Sequence, residues 1–213
     1  ELAEEEQAEK GVFLRMEYLP RTTCVDTALH HYSGLTTFAS SNPYQTTKLM
    51  GELGYAINGV NSYLYHSFVA PADSLFGIKY VILKSQIGGH AQLKPLERVT
   101  VGEEVRYIYE NLYALPVGYV AEETIREYAG LDYAPFDNQE LLYSGILGED
   151  VDMYLPLDLE CDDSDSSIYD SSFMKSGTVE TGCFTGEVIE EGQYFAFVDC
   201  RAADSIGVAV YGI

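Results

Sequence analysis

The sequence predicts an α+β fold, with an N-terminal mixed α/β unit over residues 1–150 followed by an all-β, sandwich-like (jelly-roll-like) unit over residues 151–213. Three observations carry this reading. Tyr80-Val81-Ile82-Leu83 is a continuous apolar run of the kind buried on both faces of a sheet. Helical starts stand at Asn42-Pro43 and Pro135, each with an apolar stripe behind it. After residue 150 the helical pattern disappears and short strand-like stretches take over.

Taken in order, residues 1–10 are mostly Glu, Ala, Gln and Lys, good helix formers stopped by Gly11. Val12, Leu14 and Met16 then alternate with Phe13, Arg15 and Glu17 up to Pro20, which predicts a strand. From Cys24 to Ser41 there is no clear period, and short strand and loop are expected. The helix begun at Asn42-Pro43 carries its stripe on Lys48, Leu49, Met50 and Leu53 and ends around Gly54. A short helix from Pro71 through Phe76 is closed by Gly77 and feeds the strand ending at Leu83. Residues 85–104 are polar and predict a loop or ragged hairpin, followed by strands at 105–109 and 117–120. Phe136, Leu141, Leu142, Ile146 and Leu147 fall near a 3.6-residue period and predict a helix between Pro135 and Gly148. The predicted strands of the second unit are 151–159, 178–189, 194–200 and 206–211, and its sheet is expected to continue beyond residue 213.

Charge narrows the partners. The chain holds 12 basic and 34 acidic residues, for a formal charge of -22, which repels nucleic-acid backbones and anionic lipid surfaces. Lys and Arg are scattered, with Lys79 and Lys84 the nearest approach to a basic pair, so nucleic acid is not expected as a partner. Nothing approaches the run of about 20 apolar residues that crosses a bilayer. The N-terminus lacks the pattern of a secretory signal, and its mid-helix composition without Met is expected of a segment lying inside a longer protein.

No catalytic motif stands out. His30, His31, His66 and His90 lack metal-ligand spacing, and no nucleophile elbow, phosphate loop or dinucleotide fingerprint occurs. Asp163 and Asp165, within an acidic run, are the calcium candidates, but the run lacks the Gly and closing Glu of an EF-hand loop, and its Asp and Ser suit a solvated turn better. The pairs Glu103-Glu104 and Glu122-Glu123 diverge on any regular element. Cys24, Cys161, Cys183 and Cys200 include no C-x-x-C. A hairpin turn at Glu191-Gly192 would set Cys183 opposite Cys200, within disulfide range.

Four ordered stretches nevertheless look familiar. Tyr32-Ser33-Gly34-Leu35-Thr36-Thr37-Phe38-Ala39-Ser40-Ser41, Leu75-Phe76-Gly77-Ile78-Lys79-Tyr80-Val81-Ile82, Tyr109-Glu110-Asn111-Leu112-Tyr113-Ala114-Leu115-Pro116-Val117-Gly118-Tyr119 and Pro135-Phe136-Asp137-Asn138-Gln139 together resemble the YfhO-like bacterial membrane proteins over residues 12–148. The resemblance implies a multi-spanning protein, similar to GT-C glycosyltransferases, that uses polyprenyl-phosphate sugar donors outside the membrane to decorate cell-surface polymers such as lipoteichoic acid. This chain would then be its soluble extracytoplasmic domain, partnered by the membrane-embedded remainder and by a glycan or polymer acceptor. Catalytic residues, and any divalent metal, would belong to that remainder, and no cofactor is expected in this chain. Tyr32, Phe38, Tyr113 and Tyr119 are the candidate acceptor surface, since their ring faces suit sugar C–H groups. The other reading is a free-standing carbohydrate-binding or adhesion module that works through its β-rich second half.

Overall fold

The computed structural model describes residues 11, 13–132, 134–156, 160–161, 166–169, 172–175, 184–185 and 192–195. Strands β1 (Arg15–Leu19), β5 (Ile78–Leu83), β6 (Leu93–Val101) and β7 (Glu104–Asn111) form one mixed sheet in the order β1-β5-β7-β6. β1 runs parallel to β5, whereas β5 with β7 and β6 with β7 are antiparallel. Between β1 and β5 the chain builds α1 (Asp26–Leu29), β2 (Thr37–Phe38), α2 (Tyr44–Glu52), β3 (Ala56–Ile57), β4 (Ser62–Leu64) and α3 (Ala70–Leu75). β2, β4 and β3 make a small three-stranded antiparallel sheet. A 3-10 turn at Glu123–Glu127 and the helix α4 (Pro135–Leu147) follow. The α+β class is therefore met.

β5 is an interior strand, and its apolar run is buried from both sides as expected. Val81 and Leu83 alternate toward the main core, which contains Leu35, Met50, Leu53, Tyr55, Tyr65 and Tyr109. Tyr80 points the other way, into a smaller cluster with Leu14, Met16 and Ile108. The same alternation puts Glu17 on the main-core side of β1, where it is 1% exposed.

Several elements differ from the sequence expectation. Of the two readings of the polar stretch, loop or ragged hairpin, the structure takes the hairpin: the nine-residue strand β6 is joined to β7 through a tight turn at Gly102-Glu103. It escapes a pattern search because it is an edge strand whose side chains are mostly exposed, and because Pro95 sits beside a register shift that an edge tolerates. Residues 117–120 form no strand; they run exposed between Leu115, whose amide donates to the Ser74 carbonyl, and Glu122, whose amide donates to Ile146. Residues 151–156 are not a strand either, because their amides are taken by α4 side chains: Val151 donates to Ser144 Oγ, and Met153 and Tyr154 donate to Glu140 Oε1. Asp26–Leu29 adds a helical turn where only strand and loop were expected.

In the second half the structure describes two antiparallel ladders. They are β8 (Glu160–Cys161) with β11 (Phe184–Thr185), and β9 (Ser166–Tyr169) with β10 (Ser172–Lys175). Residues 194–195 carry no strand. The predicted helix over 1–10, the strand at 206–211, the calcium candidates Asp163 and Asp165, and the Cys183–Cys200 pairing lie outside the described residues.

Candidate functional site

The stretches that carry the family resemblance turn out to be buried polar braces. In the first, the amides of Leu35 and Thr36 donate to Glu17 Oε1. Gly34 makes this approach possible, since a Cβ there would lie 2.8 Å from the same Glu17 oxygen and 2.7 Å from Thr27. Burial pushes the Glu17 carboxyl above its usual range, although the Leu35 and Thr36 amides and Arg21 pull the other way. Just before the second, α3 presents Asp73, fully buried, to the hydroxyls of Tyr55 and Tyr65 at 2.7 and 2.8 Å and to the amide of Val69 at 3.0 Å. Burial pushes this carboxyl up to about 8, and the neighbouring Glu17 charge adds to the rise. Gly77 turns the chain into β5 at φ +67, with Leu115 O where a Cβ would project.

The remaining stretches brace the loop after β7 and the last helix. Asn111 Nδ2 donates to Ile78 O, while its Oδ1 accepts from the Tyr113 amide. Asn138 Nδ2 donates to Glu52 O and Leu131 O, and Gln139 Nε2 donates to Leu53 O, which fastens α4 to the end of α2. Tyr154 donates back to Gln139 Oε1 at 2.6 Å.

The candidate acceptor residues have separate surroundings. Tyr32 is half-buried, with its phenol pushed up by burial and by the charges of Glu17 and Asp26. Phe38 projects from β2, and Tyr113 and Tyr119 belong to the loop after β7; all three are exposed. Tyr119 lies close enough to Tyr143 to raise its phenol, already pushed up by burial, and Tyr143 donates to Pro71 O. No ring pair joins any two of the four among the described residues.

The concave surface lies elsewhere. Where the parallel strands β1 and β5 end, at Leu19 and Leu83, an open cleft of about 680 Å³ is lined by Arg21, Thr22, His66, Lys84 and Ser85. The chain leaves β1 through a cis peptide at Leu19–Pro20 and is held by the Thr22 and Thr23 amides, which donate to Asp26. Arg21 Nη1 donates to Tyr65 O at 3.2 Å, and the exposed thiol of Cys24 borders the rim. The sequence hid this grouping: Arg21 and Lys84 each follow a strand end, and only the parallel pairing of those strands brings them together. A second, smaller hollow of about 100 Å³ lies between Phe68, Phe136, Gln139, Tyr154 and Phe195.

Among the described residues, no cluster of His, Cys, Asp and Glu has the arrangement of a metal site, and no helix is long and apolar enough to cross a membrane. Fold and surface thus define a mixed-sheet α+β domain with a cleft at its parallel strand ends and no assembled catalytic constellation among those residues. The family described as bacterial membrane protein YfhO matches residues 1–181, and the chain belongs to it. That match extends past the 12–148 span of the four stretches. Searches of curated proteins and of solved structures return no match.

Proposed function

We propose that this chain is the extracytoplasmic domain of a YfhO-like membrane protein. It holds the acceptor, or closes as a lid, while the membrane-embedded remainder transfers sugar from a polyprenyl-phosphate donor to a cell-surface polymer such as lipoteichoic acid. The observation that carries this reading is the family match over residues 1–181 of a chain whose described helices do not span a bilayer. Chemistry supports the division of labour. A polyprenyl donor keeps its tail in the bilayer and needs cationic or metal-bound partners for its phosphate at the point of transfer. The described residues offer no membrane span and no metal cluster for that step. They do offer a cleft, and they leave Phe38, Tyr113 and Tyr119 exposed as surfaces for sugar rings.

The test compares the 213-residue chain with the full-length protein, using labelled donor and acceptor with and without divalent metal. The chain alone is expected to give no turnover, and the full-length protein lacking residues 1–213 is expected to transfer less than the intact one. Turnover by the chain alone, or undiminished transfer after its removal, overturns the proposal. The family match favours this reading over a free-standing adhesion module.

A further inference from the structure

The cleft at the ends of β1 and β5 reverses the electrostatic character of the molecule. The chain as a whole has 34 acidic residues against 12 basic ones. Yet the described residues lining this cleft include Arg21, Lys84 and His66 and not one Asp or Glu. Arg21 has no ion pair among the described residues; one N–H is spent on Tyr65 O and the rest of its planar fork remains available. Among the described residues the one carboxylate that Lys84 meets is Glu104, at 3.9 Å, and its side chain is 46% exposed. The hydroxyls of Thr22 and Ser85 make no hydrogen bond within the described structure. His66 is kept toward its neutral form by partial burial and by the Arg21 charge, so it can donate or accept.

Carboxylates do stand behind this lining. Asp26 is fully buried and occupied by Thr22 and Thr23, and Glu17 is occupied by Leu35 and Thr36. Both are spent on backbone amides, so neither projects into the cleft as a counter-ion. The place is also mechanically apt. β1 and β5 are held in register up to Leu19 and Leu83, and the Lys84 amide donates to Leu19 O. Residues just beyond the carboxyl ends of this parallel pair are fixed by the sheet and line the open cleft.

We propose that this cleft is a binding site for a phosphate ester group, with the Arg21 fork and the Lys84 ammonium on the oxyanion and Thr22 and Ser85 as hydroxyl donors. A phosphate suits these groups because its three or more acceptor oxygens can meet a planar fork, a point charge and hydroxyls together. The site goes beyond the acceptor-holding role proposed above and does not need it, because binding is measured on the chain without any transfer reaction.

The experiment is a titration of the isotope-labelled 213-residue chain with inorganic phosphate and with glycerol 3-phosphate, at constant ionic strength with chloride as the control anion, followed by amide NMR. Saturable shifts are expected at Arg21, Thr22, Lys84 and Ser85. Lys84→Ala should weaken binding about fivefold, as for removal of one solvent-accessible charge contact, whereas Lys94→Ala, with the same change in net charge, should not. Lys84 is exposed, so its loss does not threaten the fold, and Arg21→Lys tests the fork while keeping the charge. Equal effects of Lys84→Ala and Lys94→Ala, or shifts no larger than those from chloride, overturn the proposal. Phosphatidylglycerol vesicles separate the sources of the group. Sedimentation with vesicles that is lost in Lys84→Ala identifies a lipid headgroup, and phosphate binding without sedimentation identifies a soluble ester. Sedimentation that survives Lys84→Ala also overturns the site.

Discussion

Replacing Asp73 by Ala probes the brace on which the core depends. Three donors converge on this carboxyl: the hydroxyls of Tyr55 and Tyr65, both essentially inaccessible to water, and the amide of Val69 at the start of α3. Substitution leaves all three without this partner and opens a small void beside two buried phenols. A buried donor left unpaired costs about 1–3 kcal/mol, so the two hydroxyls contribute about 2–6 kcal/mol and the half-buried amide about 1 kcal/mol. Relaxation of the rings trims the total to about 4 kcal/mol, a large share of the roughly 5–15 kcal/mol that holds a domain folded. Urea unfolding followed by circular dichroism measures it directly, with an unchanged slope showing that the unfolded state is the same. The control is the Tyr55→Phe, Tyr65→Phe background, in which the stranded hydroxyls no longer exist. There the cost of Asp73→Ala should fall by about 2 kcal/mol as a coupling energy. A loss below about 1 kcal/mol, or a loss identical in both backgrounds, would refute the account of Asp73 as the acceptor that these phenols require.

Protonation gives a second measurement at the same residue. The folded value of about 8 lies above the ordinary 3.8, so folding favours neutral Asp73; this stabilisation is complete below 3.8 and is lost as pH rises through about 8. Wild-type Tm should therefore decline toward alkaline pH more steeply than that of Asp73→Asn, with Glu17 contributing in the same direction; parallel slopes would contradict the shift. Gly77→Ala should cost about 2 kcal/mol or more in chemical denaturation, because φ +67 is strained for an L side chain and the new Cβ meets Leu115 O at 2.9 Å. Gln139→Leu leaves Leu53 O and the Tyr154 hydroxyl unpaired, so it should cost about 2–4 kcal/mol and expose the segment after α4 to limited proteolysis before the sheet unfolds. Alanine at Phe38, Tyr113 and Tyr119 together should change stability by under about 1 kcal/mol, since all three are exposed, while reducing acceptor retention on an immobilised chain; unchanged retention removes them from the proposed surface.

Local chemistry determined much of this protein. The apolar run through Leu83, the Pro-led starts of α2 and α4 and the turn at Gly77 each depend on neighbours within a few residues, and each appears where the sequence places it. The ordered motifs also sufficed to point to the family that matches residues 1–181. What they do physically was not legible. Asn111, Asn138 and Gln139, and Asp73 just ahead of the second motif, resemble ordinary polar residues until the fold closes over them, because burial is a property of the whole packing and not of a segment. Glu17 shows the same limit: alternation put it opposite Leu14 and Met16, but only the layer laid down by Leu35 and Thr36 made that opposite face an interior. β6 was hidden because an edge strand with polar side chains carries no apolar period. The cleft was hidden most completely. Arg21 and Lys84 are distant in the chain and become neighbours only because β1 and β5 pair in parallel, a long-range choice made by the crossover between them and by the shared core it covers.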